Sequence, residues 1–190
     1  MMAHGGRTTL MLVTIAVLGA CGSDGGGGGD ADVTEEERPY YDAMVESFQS
    51  AEDDNLRLEE AQAECVSARW VRTIGVERFE QAGITPEAFS DDLEQDVTAL
   101  GLDEAAAGQL YDAFGECDVE VLDQFVEAIA QGGDVSEEDL ACLRDNIDDA
   151  LIRDILIVTF TQGEDALQGD QELTGRLLET FSACPGALPE

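Results

Sequence analysis

GQLYDAFGEC (108–117) and GRLLETFSAC (175–184) carry glycine, leucine, phenylalanine and cysteine at identical spacing. A second pair of stretches precedes them, LEEAQAEC (58–65) and VSEEDLAC (135–142). Five residues after each of those cysteines stands a large apolar side chain, Trp70 or Ile147, and nine after stands Ile74 or Leu151. The chain therefore holds two degenerate repeats, about 58–117 and about 135–184. Each opens on a helix bearing one cysteine and closes on a helix bearing another. Four cysteines allow three pairings. The repeat selects Cys65–Cys117 and Cys142–Cys184, with Phe114 and Phe181 expected to be buried beside their bonds. No C-x-x-C spacing exists, so a zinc site is a poor alternative use of these thiols. Each bond would close a loop of about 40–50 residues, contributing about 4 kcal/mol in the chain-entropy model.

The remaining pattern is helical. Tyr41, Met44, Val45 and Phe48 form one apolar stripe, and Leu122, Phe125, Val126 and Ile129 form another, ended by Gly132-Gly133. Ser136 and Asp139 read as a capping pair. LIRDILIVTF (151–160) is apolar nearly all round, which predicts a central helix. The first repeat is ten residues longer between its cysteines, and the excess falls near GITPEAFSDDLEQD (83–96). There Thr85-Pro86 predicts the start of a short helix. No long stretch alternates with period two. The expectation is one all-α domain over 35–190.

The N-terminus is of another kind. A weakly basic start ending at Arg7 is followed by TTLMLVTIAVLGAC (8–21), an apolar run too short and too early to span a bilayer. It ends Leu18-Gly19-Ala20-Cys21, which resembles the lipobox of bacterial lipoproteins. The resemblance implies a signal peptide over 1–20, cleavage before Cys21, and lipidation of Cys21 with diacylglycerol and usually a further acyl chain such as palmitate. The competing reading is an ordinary secretory signal with an incidental cysteine. GSDGGGGGDADVT (22–34) follows, and its five consecutive glycines predict a tether. The domain beyond would sit close to the membrane, on its extracytoplasmic face. The cysteine-bearing helices, the segment IGVERFEQAGITPE and the L-x-x-x-F-x-x-C closing helix resemble uncharacterised helical lipoproteins of high-GC actinobacteria. That likeness implies no activity for any residue here.

Composition narrows the chemistry. The chain has 43 acidic residues against nine basic ones, a net charge of −34. All nine basic residues are arginines, and the one histidine, His4, lies in the expected signal. A mature chain without histidine or lysine has no Ser-His, Cys-His or Ser-Lys pair, no Schiff-base lysine and no P-loop. No catalytic residue, cofactor or metal ligand is assigned. Nucleic acid is an unfavourable partner for so negative a surface. The expected role is a non-catalytic binding or structural module of the envelope, meeting the membrane through its anchor and an envelope protein or basic partner through its domain. The alternatives are a carboxylate-based enzyme acting on cell-wall glycans, or a divalent-cation-binding module. The acidic pairs Asp53-Asp54, Asp91-Asp92 and Asp148-Asp149 do not form a calcium loop. Trp70 is read as core rather than as an exposed binding anchor. Arg69, Arg72 and Arg78 form the densest positive cluster, able to grip an anion or to pair with nearby acids. Tyr40 and Tyr41 are candidate surface aromatics, although one face of their helix has to be core.

Overall fold

The structure, a computed structural model, describes residues 33–50, 56–89, 97–132, 135–163 and 165–187. The expected signal peptide, Cys21 and nearly all of the tether lie outside the described residues, as do Asp53-Asp54, Asp91-Asp92 and the remainder of the insertion. Among the described residues every regular element is helical, so the fold is all-α. None of these helices is long and apolar enough to cross a membrane.

The domain begins slightly earlier than its composition suggests. Thr34 Oγ1 accepts from Glu37 N at 3.3 Å, and Glu37 Oε2 accepts from Thr34 N at 2.9 Å. This reciprocal capping satisfies backbone donors at the entry to α1 (Arg38–Ser50). Val33 already packs against the core.

In the first repeat, α1 lies against α2 (Glu60–Ile74). The backbone then breaks at Gly75, whose φ of 79° a side chain would resist, and continues as α3 (Val76–Ala82). The inserted segment contains α4 (Pro86–Phe89), started by Thr85 Oγ1 accepting from Ala88 N at 3.3 Å. The closing helix is α5 (Glu104–Glu116), capped by Asp103, whose carboxylate accepts from Ala106 N at 2.8 Å. Trp70 sits at the centre of this half, 1% exposed. Its ring meets Phe48, Phe114 and Phe160 edge-on at centroid distances of 5.3, 5.5 and 5.4 Å. Its indole N–H donates to the Leu110 carbonyl at 2.9 Å, which satisfies the one polar atom the ring buries. Trp70 is core, as its alignment with Ile147 implies.

The second half contains α6 (Val121–Gly132), α7 (Glu137–Asn146), α8 (Asp149–Gln162), α9 (Asp165–Gly169) and α10 (Gln171–Ala183), ending in a 3-10 turn over Pro185–Ala187. Helices α6, α7, α10 and α8 contact one another in that cyclic order, while α8 also packs along α5 and so joins the two halves. Ser136 caps α7 as expected, accepting from Asp139 N at 3.2 Å.

Three features depart from what the repeat and the apolar pattern suggest. The cysteine helix of the second repeat does not run on to Leu151 as its counterpart runs to Ile74. It stops at Asn146, Ile147 is extended, and Asp148 starts a new helix by accepting from Leu151 N at 2.6 Å. Ile147 and Leu151 are nevertheless buried at 4% and 3%, so the apolar register survives the break. Second, α8 is not central. Leu151, Ile152, Thr159 and Phe160 are buried at its ends, but the middle run Ile155 to Val158 is only half-buried. Third, Phe114 is buried beside its disulfide at 2% exposure, whereas Phe181 is half-exposed.

Candidate binding site

The sulfurs are joined as Cys65–Cys117 and Cys142–Cys184, with Cα–Cα distances of 5.7 and 5.8 Å. Each closing cysteine is the C-cap of its helix, α5 or α10, so both bonds fasten a helix C-terminus to the cysteine helix of the same repeat. Around the first bond, Gln62 adds a second fastening. Its Oε1 accepts from Glu59 N at 3.3 Å and its Nε2 donates to the Asp118 carbonyl at 2.8 Å.

The remaining candidates disperse. Arg69 pairs with Glu116 across the α2–α5 seam. Neither Arg72 nor Arg78 forms an ion pair among the described residues. Tyr40 and Tyr41 are both buried, at 7% and 4%. They can be neighbours and both be core because α1 is covered on two sides, by α2 and by α4. Tyr40 stacks on Phe79 at 4.4 Å and donates its hydroxyl to the Ile84 carbonyl at 3.0 Å. Burial, then the nearby charges of Glu80 and Glu87, raise its pKa above the ordinary 10.0.

A feature the residue pattern does not announce lies where the two repeats meet. Between the C-terminal end of α5, the connection to α6 and the first turn of α8 is a pocket of about 370 Å³. Its apolar wall is made by Phe114, Val119 and Val121, with Leu122 at the edge. Three carboxylates line it as well, Glu120, Asp123 and Asp149, and the lining contains no arginine. Each of these acids is solvent-exposed. Tyr111 borders the pocket, and its hydroxyl donates to Asp149 Oδ1 at 2.5 Å, so the Asp149 carboxylate is held at the pocket side of the α8 N-terminus. Burial and this hydrogen bond raise the Tyr111 pKa well above its ordinary value, keeping the phenol a donor. Arg153 lies 5.7 Å from the Tyr111 ring centroid but engages Asp112, away from the pocket lining. Asp123 is met by Arg144 at 3.1 Å, whereas neither Glu120 nor Asp149 forms an ion pair among the described residues.

A larger hollow of about 490 Å³ on the α1–α2 surface is shallower and reaches Ser50, where the description stops, so no function is argued from it. Among the described residues no Asp or Glu is buried, and no group of three or more His, Cys, Asp or Glu side chains converges as a metal site.

Sequence reasoning missed Tyr111 and named Asp149 only as half of an acidic pair. The available signal is a departure from the repeat: Tyr111 aligns with Leu178, so a hydroxyl appears in the first repeat where the second has a hydrocarbon. Comparison of the chain with protein-family models, curated proteins and solved structures returned no match.

Proposed function

We propose that the protein is a lipid-anchored, non-catalytic binding module on the extracytoplasmic face of the cell membrane, and that the junction pocket receives a positively charged group of its partner. The anchor is Cys21, read from the lipobox. The observation that carries the binding role is the pocket lining, in which an apolar wall and three carboxylates, of which Arg144 pairs only with Asp123, face a concavity whose lining contains no arginine. A group with a hydrocarbon body and a cationic head fits both features, since its body is removed from water while its charge stays beside exposed acids. The non-catalytic reading draws support from the residue inventory. General-acid carboxyls gain their raised pKa by burial, and the described acids are all at least partly exposed.

Fractionation of producing cells tests the anchor: wild type is expected with membranes and Cys21→Ala in the soluble fraction, and equal partition of both would refute it. For the pocket, the mature protein is heated with hexylammonium chloride. A ligand of the native state alone raises the midpoint in proportion to RT ln(1 + [L]/Kd). A rise no greater than equimolar sodium chloride produces would refute the cation-binding reading.

A further inference from the structure

The two disulfides close equivalent positions of the repeat but have different neighbours. Arg69 and Asn146 each stand four residues, one helical turn, after the first cysteine of their repeat. Arg69 turns to Glu116, and Gln62 on the same helix reaches the Asp118 carbonyl, so the hydrogen bonds described beside Cys65–Cys117 end on oxygen. Asn146 turns back over its bond instead. Its Nδ2 donates to the Cys142 carbonyl at 2.8 Å and lies 3.6 Å from Cys142 Sγ and 3.7 Å from Cys184 Sγ. The carbonyl contact fixes which end of the amide faces the sulfurs, because a carbonyl oxygen has no proton to give the amide's own oxygen. Access does not separate the two bonds: Cys65 and Cys142 are both half-buried, while Cys117 and Cys184 are 6% and 1% exposed. The sulfur's surroundings do, and so does the packing that remains once a bond is cut. Trp70, Phe48 and Phe114 still bind α1, α2 and α5 to one another. In the second half the counterpart of Phe114, Phe181, is half-buried and Leu178 is 62% exposed.

We propose that Cys142–Cys184 is a thiol-sensitive switch, opened by a dithiol of the thiol–disulfide exchange class to release α10 from α7, and that Asn146 positions the hydrogen-bond donor that makes it the faster bond to open. A thiolate of the dithiol attacks the half-buried Cys142 Sγ. The Sγ–Sγ bond breaks and its electron pair goes to Cys184, where the Asn146 N–H meets the developing charge. The second sulfur of the dithiol then displaces Cys142. The dithiol leaves as a disulfide, two electrons stay on the chain, and the two protons of the dithiol end on Cys142 and Cys184. A sulfur with a stabilised thiolate leaves faster, and a donor aimed at it stabilises the charged form. The switch does not depend on the binding reading above. The half it controls includes α6, whose Val121, Leu122 and Asp123 line the junction pocket.

The test is reduction of the folded mature protein by dithiothreitol without denaturant, followed by timed alkylation and peptide mass spectrometry that assigns each cysteine. Cys142 and Cys184 should be alkylated at least about tenfold faster than Cys65 and Cys117. Helical circular dichroism should fall in step, with Trp70 fluorescence unchanged. This comparison is read on the wild type and needs no variant. Asn146→Ala then separates positioning from support by the sign of its effect. If the amide only secured the end of α7, its loss would weaken the fold and speed reduction. The proposal requires Asn146→Ala to slow reduction of Cys142–Cys184 by about threefold or more. Asn146→Asp, of nearly the same shape but with a negative charge and no donor, should slow it further. Equal rates for the two bonds overturn the switch, as does faster reduction in either variant. Selective reduction with circular dichroism unchanged overturns it as well, since the bond would then open without releasing α10.

Discussion

Removing the two disulfides one at a time should separate the halves of this domain. In the chain-entropy model the bonds are nearly equivalent. Their loops span 52 and 42 residues, and each bond restricts the unfolded chain by about 4 kcal/mol, differing by only about 0.2 kcal/mol. If the domain unfolded as one unit, Cys65→Ser/Cys117→Ser and Cys142→Ser/Cys184→Ser would lower stability alike and leave all probes coincident. The packing argues otherwise. The largest fully buried side chains of the first half and its insertion are Trp70, Phe48, Phe79, Phe114, Met44, Leu110, Val66, Val71 and Val97, whereas the second half contributes only Leu143 and Val126. The Cys142–Cys184 bond therefore compensates for missing burial, and the Cys65–Cys117 bond reinforces burial already present.

Trp70, the only tryptophan, is a built-in reporter of the first half, and α8 stays with it through the Phe160 contact and its packing on α5. In urea, Cys142→Ser/Cys184→Ser should lose helical circular dichroism from α6, α7 and α10 before Trp70 fluorescence changes. Cys65→Ser/Cys117→Ser should lose both signals together. Coincident transitions in the Cys142→Ser/Cys184→Ser protein would refute the idea that the second half is held by its disulfide more than by its core.

Ser67 is fully buried on α2 and its hydroxyl is the one buried side-chain polar atom among the described residues without a hydrogen-bond partner. Ser67→Ala should stabilise the protein by about 1 kcal/mol in urea titration, because an unmet desolvation cost disappears. Gln62→Ala removes both the capping bond from Glu59 N and the bond to the Asp118 carbonyl, and a loss of about 1 kcal/mol is expected by the same measurement. Tyr111 has a folded pKa above the ordinary 10.0, so folding favours its protonated form. Its contribution is complete below pH 10 and fades as pH rises through the folded value. Urea midpoints from pH 7 to 11 should therefore fall less steeply for Tyr111→Phe than for wild type, with the variant weaker at pH 7 by about 1 kcal/mol for the lost hydrogen bond.

Helicity, the repeat and the disulfide pairing were legible because each leaves a periodic trace. Apolar spacing of three and four residues marks faces, and the L-x-x-x-F-x-x-C closure marks equivalent helix ends. The faults arose where two equivalent sequences meet unequal surroundings. Phe114 and Phe181 occupy the same repeat position, yet only Phe114 has Phe48, Trp70 and Tyr111 around it. The run 151–160 suggested a central helix because composition reports how apolar a segment is, not how many neighbours arrive to cover it. Part of the acidity has a local structural role. Asp103, Asp148 and Asp170 each accept a backbone N–H at a helix start, and an aspartate preceding an apolar-periodic run is a signal that sequence carries. The pocket left only the departure of Tyr111 from its repeat counterpart Leu178, because Tyr111, Glu120 and Asp149 converge from separate elements and only the fold brings them together.

The placement of the arginines bears on why the junction is a site rather than a packing defect. Every ion pair described joins two different helices: Arg69–Glu116 links α2 to α5, Arg153–Asp112 links α8 to α5, Arg144–Asp123 links α7 to α6, and Arg176 on α10 reaches Asp154 of α8 and, at its N-cap, Asp148. As exposed pairs each contributes about 0–1 kcal/mol. Their placement matters more than their strength in a chain of net charge −34, where packed helices bring like charges together and a cation at the seam relieves the repulsion. The seam formed by the end of α5, the start of α6 and the first turn of α8 breaks this pattern. Three carboxylates line it and no arginine does: Arg144 reaches only Asp123, Arg153 is engaged by Asp112, and neither Glu120 nor Asp149 forms an ion pair among the described residues. A cation supplied by a partner would complete there the arrangement that the chain's own arginines provide at the other seams. Introducing one in cis at Gly115, an exposed lining residue with open space around an added Cβ, tests the same logic: Gly115→Arg should melt higher than Gly115→Gln at low salt, lose that difference in 0.5 M sodium chloride, and abolish stabilisation by hexylammonium. Retained stabilisation by hexylammonium with an arginine occupying the pocket would show that the carboxylates of this seam are not what the cation recognises.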